Sequence, residues 1–500
     1  MGDSSKDQLR RIYDMEFADV YSNDKTLSMD DLNAIKIVEK GTYFADGHFF
    51  VPIPWRNNVD TRKDNYEMAK CRLHSLRRKM LSDYWICGES PQKRQREVGN
   101  LPRWYLPHHA VINPRKPEKL RVVFDCAAKS AGVSLNDMIY QGPDTTAELV
   151  CILLRFRREA VAITADVEEM FMQVKVPEHD RGALRFLWWP NGDTSSKPVE
   201  FQMTSHPFGA TSSPFCANFA MNKTAQRFST GYEDFVVDAV KNNFYVDDCL
   251  VSFSTCEQAK KFVVQINELL CKGGFKLKKW ITNSEIVKAV LPSVCDDGPL
   301  VDIPVCYNVT HQTLGLEWDP RQDVFKFCFN ATEKPMTRRG ILSVVSSLFD
   351  PLGLIAPTCL TAKLLLQKLC KAQIGDVTVP RGIKRVIDET DTTVELHLFS
   401  DASELGYGAV AYALVSKSRV APIKQVTIPR LEMAAAVLSV KISEVLKKSF
   451  PRFFSEVNFY TDSMVVLYYI KNTESRYSTF IANRLGSPYI NLRVSNNGVI

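Results

Sequence analysis

Long apolar runs are missing from this chain. None of its 500 residues belongs to a stretch near the roughly 18 to 20 apolar positions of a bilayer span, and the opening MGDSSKDQLRR has no secretory apolar core. A soluble, intracellular protein, cytoplasmic or nuclear, is expected. Paired cysteines are missing too: 13 are scattered and none stands in a C-x-x-C spacing, which argues against a disulfide framework and a zinc site. They read as small core residues in a reducing compartment. Nor does one sign of charge dominate, since 63 Lys and Arg face 57 Asp and Glu. The net +6 is a weak pull toward an anionic partner, so clustering matters more than the sum. With 45% hydrophobic and 24% charged residues the chain can bury a core throughout, and its length suggests about three or four domains.

The most informative stretch is Asn242 to Phe253, NNFYVDDCLVSF. Its apolar runs, Phe244 to Val246 and Cys249 to Val251, are two residues apart, the spacing of a tight hairpin with Asp247 and Asp248 at its tip. Adjacent aspartates suit neither the backbone of such a turn nor its charge balance, so a hard divalent cation would explain them. An exposed acidic turn is the plainer alternative.

Around this stretch the chain alternates strands and helices. Arg62 to Trp85 has near-helical apolar spacing and a dense basic face, which fits either a solvated surface or a phosphate track. A strand at Leu120 to Phe124 follows, with Lys119 and Arg121 on one side by the period of two. Val161 to Val176 delivers Asp166 at a strand end, with Phe171 five residues on. Leu184 to Trp189 and Val199 to Met203 read as paired strands. In SHPFGATSSP, Gly209 allows close backbone approach and Ser213-Pro214 opens a helix to about Phe228. Cys256 to Cys271 is an amphipathic helix ended by Gly273-Gly274, Phe275 to Trp280 a basic strand, and Thr313 to Trp318 a short strand with a central glycine. One α+β domain from about Leu101 to Trp318 results. Apolar helices follow within Met336 to Ala372, with Arg338 and Arg339 in a first turn where an anion would suit them. Further on, Asp401 and Asp462 end strands and Glu432 sits early in a helix opened by Pro429.

The order of Lys119/Arg121, Asp166 with Phe171, Pro207-Phe208-Gly209 with Ser213-Pro214, Tyr245-Val246-Asp247-Asp248 and Leu314-Gly315 resembles the retroelement reverse transcriptases. In wording, through YLPHHAV, KLRVVFD, SLND, FYVDD and RRGILSVVSSLFDPLGLIAP, it is most similar to the BEL/Pao long-terminal-repeat retrotransposons. The resemblance implies a right-hand polymerase of fingers, palm and thumb. Residues 1–100 would be an N-terminal extension with part of the fingers, 101–320 fingers and palm, 321–392 thumb and connection, and 393–500 an incomplete α/β ribonuclease H-like domain.

By the same resemblance, Asp166, Asp247 and Asp248 hold two Mg2+ ions (Mn2+ as a substitute) for transfer of deoxynucleotides to a primer 3'-hydroxyl. Lys119, Arg121, Phe171, Phe208 and Gly209 contact the nucleotide, Phe171 as the gate against a 2'-hydroxyl. Tyr245 is the motif tyrosine, and Leu314, Gly315, Leu316 and Trp318 form the primer grip. Asp401, Glu432 and Asp462 match three carboxylates of a ribonuclease H metal site. Expected partners are RNA and DNA template-primer, deoxynucleotides and other pieces of the retroelement polyprotein, with no membrane. The sequence departs from the pattern in that no aspartate follows Asp462, length is missing between Lys371 and Val394 and between Leu414 and Arg419, the tail from Gly486 to Ile500 is unlike the family, and no D-[ST]-G protease triplet occurs. A non-catalytic nucleic-acid-binding relic is the alternative.

Overall fold

The computed structural model describes residues 27–57, 64–82, 103–113, 116–190, 193–291, 311–313, 316–327, 350–355, 377–381, 394–403, 406–411, 414–420, 427–451 and 453–471. Helix α1 (Met29–Gly41) starts at a capping box in which the Ser28 hydroxyl accepts from the Asp31 amide and the Asp31 carboxylate accepts from the Ser28 amide. The hairpin of β1 (Tyr43–Ala45) and β2 (His48–Phe50) turns at Asp46-Gly47, both with positive φ, as a two-residue turn of this kind requires. Ala34, Val38, Phe49 and Val51 enter the same core as the central sheet, so this segment packs as part of it.

Helix α2 (Tyr66–Ser82) lies within the expected helical stretch, and β3 (His108–Asn113) pairs antiparallel with β4 (Lys116–Phe124). Then come α3 (Leu135–Met138), α4 (Leu149–Arg158), β5 (Val161–Val167), α5 (Met170–Gln173), and the pair β6 (Arg185–Trp188) and β7 (Val199–Gln202). Next are α6 (Ser213–Phe228), α7 (Asp234–Asn242), β8 (Phe244–Tyr245), β9 (Asp248–Phe253), α8 (Cys256–Cys271), β10 (Leu277–Thr282) and α9 (Glu285–Lys288). The central sheet runs β10-β5-β9-β8, antiparallel throughout. Alternation along β5 sends Ile163, Ala165 and Val167 into a core with α6 and α8, and Ala162 into a second core with α4.

Beyond it lie two further sheets. One is β11 (His311–Thr313), β12 (Leu316–Asp319), β13 (Val324–Phe327) and β14 (Val377–Pro380). Thr313 pairs with Leu316 across antiparallel strands, so the single strand expected over Thr313 to Trp318 is instead a hairpin. The other has the order β17-β16-β15-β18, from β15 (Val394–Ala402), β16 (Gly406–Ala411), β17 (Val415–Val420) and β18 (Phe454–Thr461), with β15 parallel to β18. Helix α10 (Ile428–Ser449) covers it and α11 (Met464–Lys471) follows. This is the mixed α+β architecture expected of a reverse transcriptase followed by a ribonuclease H-like region.

The second core crosses the whole assembly. Ile152, Leu153 and Phe156 of α4 join Trp318, Phe325, Leu396, Leu398, Leu438 and Ile442 in one apolar cluster. Arg381, fully buried, closes it: its guanidinium pairs with Asp323 and donates to the carbonyls of Phe156, Glu159 and Ala160 at the end of α4, where helix carbonyls lack partners. Most of the thumb stretch, 328–349 and 356–376 with Arg338 and Arg339, lies outside the described residues. Among those described, no helix is long and apolar enough to cross a membrane.

Candidate active sites

Strand register brings the sequence-distant aspartates together. Asp166, near the end of β5, is the cross-strand partner of Asp248, the first residue of β9, and the Val167 amide donates to the Asp247 carbonyl at 2.8 Å. The turn itself differs by one residue from the expected Asp247-Asp248 tip. Tyr245 pairs with Asp248, so the tip is Val246-Asp247, and Val246 carries φ +57. A β-branched residue there is strained, of order 1–3 kcal/mol, where glycine would be ordinary. The strain is held by the flanking ladder, and it sets Asp247 beside rather than opposite its neighbours.

Burial lifts the carboxyl of Asp248 to about 6, helped by Asp247 and Asp166. Asp247 is also raised, by burial and then, among charges, by Asp166. The opposing cation is Lys279, whose Nζ stands 2.7 Å from Asp166 Oδ2. It arrives through a register break in β10: Lys278 pairs with Asp166, the ladder resumes only at Ile281, and Lys279 has φ +53. Lys278 meanwhile bridges Glu168 at 2.8 Å. Sequence reasoning marked this strand as basic but could not single out Lys279, because only the bulge turns it toward Asp166. Among the described residues no three His, Cys, Asp or Glu side chains converge closely enough to share an ion as they stand. Mutually repelling, partly buried carboxylates with hard oxygen donors nonetheless fit divalent magnesium in chemistry.

The residues expected to contact a nucleotide come together in part. Phe171, in α5 and buried, meets exposed Phe208 edge-to-face at 4.6 Å between centroids. Gly209 has φ +107, and a Cβ there would meet the Phe124 carbonyl at 2.4 Å, so only glycine lets this loop rest on the end of β4. Asn136 pins the loop, donating to the Gly209 carbonyl at 3.1 Å and accepting from the Thr211 amide at 3.0 Å. It lies in the quoted SLND, but its role needed the tertiary contact. Lys119 and Arg121 lie on β4, the latter opposite Val111, while their side chains lie outside the described residues.

Leu314 and Gly315 of the expected primer grip also lie outside them, and Leu316 begins β12. Trp318 is fully buried, its ring edge-on to Phe156 at 5.1 Å and its indole N–H donating to Asp323 at 3.1 Å. It is a packing residue with no surface left for a primer.

In the C-terminal sheet, Asp401 on β15 and Asp462 just after β18 are exposed and line one open cavity of about 570 Å³ with Phe399, Tyr407 and Lys417. The parallel pairing of Ser400 with Thr461 sets these two acids side by side at the strand ends. Glu432, in the first turns of α10, does not line that cavity; its carboxylate accepts from the Ser463 hydroxyl, which also caps α11 through the Val466 amide.

Residues 118–280 match the model of the reverse transcriptase (RNA-dependent DNA polymerase) family, and residues 337–376 and 373–463 match that of the Pao retrotransposon-like RNaseH-like domain. Among solved structures, the chain is similar to the foamy viral protease-reverse transcriptase dRH in complex with double-stranded DNA (14% identity, TM-score 0.47, 98% of this chain and 78% of that one). It is similar also to the foamy viral protease-reverse transcriptase in complex with an RNA/DNA hybrid (13%, TM-score 0.47, 97% and 62%). No curated protein matches significantly. The chain thus carries a reverse transcriptase domain and, C-terminal to it, a Pao retrotransposon-like RNaseH-like domain.

Proposed function

We propose that the protein is an RNA-directed DNA polymerase that adds deoxynucleotides to a primer 3'-hydroxyl on a nucleic-acid template. The observation that carries this reading is the cross-strand pairing of Asp166 with Asp248 beside Asp247, inside the region matched by the reverse transcriptase family. Asp166 and Asp247 would hold magnesium, with Asp248 supporting them; bound there, the metal lowers the hydroxyl pKa and neutralises charge on the phosphates. The chain's own part is placement. The β5–β9 ladder fixes the carboxylates, Phe171 and Phe208 wall the nucleotide site, Gly209 and Asn136 set its floor, and Phe171 closes it against a 2'-hydroxyl. Lys119 and Arg121 would meet the triphosphate.

Primer extension on an RNA template with Mg2+ and deoxynucleotides tests this. Folded protein that incorporates nothing, or an Asp247→Asn variant as active as the parent, overturns it. Ribonucleotide acceptance by Phe171→Ala tests the gate separately.

A second reading has its own support: Lys279 already holds Asp166, and among the described residues no three acids stand close enough to share an ion. On that reading the protein binds nucleic acid without incorporation. Magnesium-dependent extension by the purified chain eliminates it. For the C-terminal domain, hybrid cleavage through Asp401, Glu432 and Asp462 is the corresponding proposal, tested by release of fragments from a labelled RNA strand paired with DNA.

A further inference from the structure

Helices α6 and α8 end together at a row of alternating rings and cations. Arg227 lies over Phe44 at 5.0 Å and over Phe228 at 5.6 Å; Lys272 lies over Phe228 at 5.9 Å and over Tyr232 at 4.7 Å. Lys223, one helical turn back, lies over Phe219 at 5.3 Å. Among the described residues, none of the three cations makes an ion pair. The nearby acid Glu233 is taken by Lys261 at 3.4 Å, and neither Asp46 nor Glu268 is in ion-pair contact with the row. The rings are only half-buried, and Tyr43 at the head of the β1–β2 hairpin is 48% exposed.

We propose that this row is a second binding surface for single-stranded nucleic acid, separate from the catalytic hairpin. Unneutralised cations track a phosphate backbone, and half-open aromatic faces accept bases of any sequence. Cations at helix C-termini also favour the helix dipole, which accounts for Arg227 and Lys272 but not for the half-exposed rings between them. Fourteen residues of α6 separate Arg227 from Ser213 beside the nucleotide loop, which at about 1.5 Å per residue is roughly 21 Å. A strand held there is beyond reach of the reacting nucleotide, so the surface tethers rather than catalyses.

The test uses the full chain and a fluorescent 20-nucleotide oligo(U) RNA, with affinity measured as salt is varied. The triple variant Lys223→Gln, Arg227→Gln, Lys272→Gln should bind about tenfold more weakly, and its log-log salt slope should fall by about 2, at roughly 0.7 per phosphate contact on a single strand. Arg227→Lys with Lys272→Arg should restore both, which separates charge from folding. Crosslinking of a 4-thiouridine oligonucleotide to the peptide containing Tyr232 in the unmodified protein is the independent readout. Unchanged affinity and slope, no Tyr232 crosslink, or capture of the RNA-free protein by phosphatidylserine vesicles that the triple variant loses while RNA binding persists, overturns the proposal. Incorporation and this binding fail separately: an inactive protein that still binds oligo(U) through the row sinks only the polymerase reading.

Discussion

The two acidic sites of this chain are built on opposite plans. In the reverse transcriptase region the carboxylates sit on adjacent antiparallel strands, partly buried, with Lys279 paired to Asp166 and burial raising the carboxyls of Asp247 and Asp248. In the C-terminal sheet two exposed acids project from parallel strand ends into an open cavity, and the third is diverted to Ser463. A ladder fixes position at the cost of repulsion; strand ends avoid repulsion but leave position to neighbouring loops. The first site should therefore be more sensitive to a single charge change than the second.

The sharpest break of that comparison is Asp247→Asn. It should reduce primer extension by at least about 10², while Asp462→Asn leaves extension unchanged and lowers only hybrid cleavage, both read on labelled strands. Next in size is Arg381→Ala, which removes one partner of a buried ion pair and leaves α4 carbonyls unmet. A loss of about 3–5 kcal/mol in denaturant unfolding is expected, because Arg381 ties the end of α4 to Asp323 beside the shared apolar cluster.

Acid should separate the two regions again. Burial lowers His206, whose ring nitrogen donates to the Val51 carbonyl, and His108 to about 4. Between the free value near 6.5 and about 4, the unfolded chain takes up a proton that each folded imidazole refuses. Stability is thus full above pH 6.5 and falls as pH drops through this window, by about 3 kcal/mol per histidine. No buried histidine is described in the C-terminal sheet, so the effect belongs to the polymerase region, and His206→Gln should flatten the pH profile of thermal unfolding. The smallest effect is that of Lys279→Met. Its lysine is largely exposed, so metal-free stability should fall by only about 0.2–1 kcal/mol, while Mg2+ affinity measured by calorimetry should rise, because Asp166 loses its competing cation.

What could be read from the sequence was whatever local pattern controls. Helices Ser213–Phe228 and Cys256–Cys271 begin and end where their caps and periodicity put them, Ser213-Pro214 and Thr255 at the start and Gly273 at the stop. The order of Asp166, Asp247 and Asp248 along the chain suggests one shared site, and the β5–β9 register does bring them side by side. What stayed hidden depends on tertiary fit. Propensity could not place a positive φ on Val246, so the turn was set one residue late. The bulge that aims Lys279 exists only in the sheet, and the burial of Trp318 only in the shared core. Helix α4 is hard to read in the sequence although Leu149, Ile152, Leu153 and Phe156 carry its spacing, because the three basic residues of its last turn mask the apolar face.

That helix has one more implication. Since Ile152, Leu153 and Phe156 are covered by the same cluster that fills the C-terminal sheet, the two regions do not hang on the chain like beads that can be unstrung. Cutting the protein before Val394 would strip α4 of its cover and leave a greasy scar on the reverse transcriptase domain. A transplant of the RNaseH-like half onto another polymerase would need a host helix shaped to receive it.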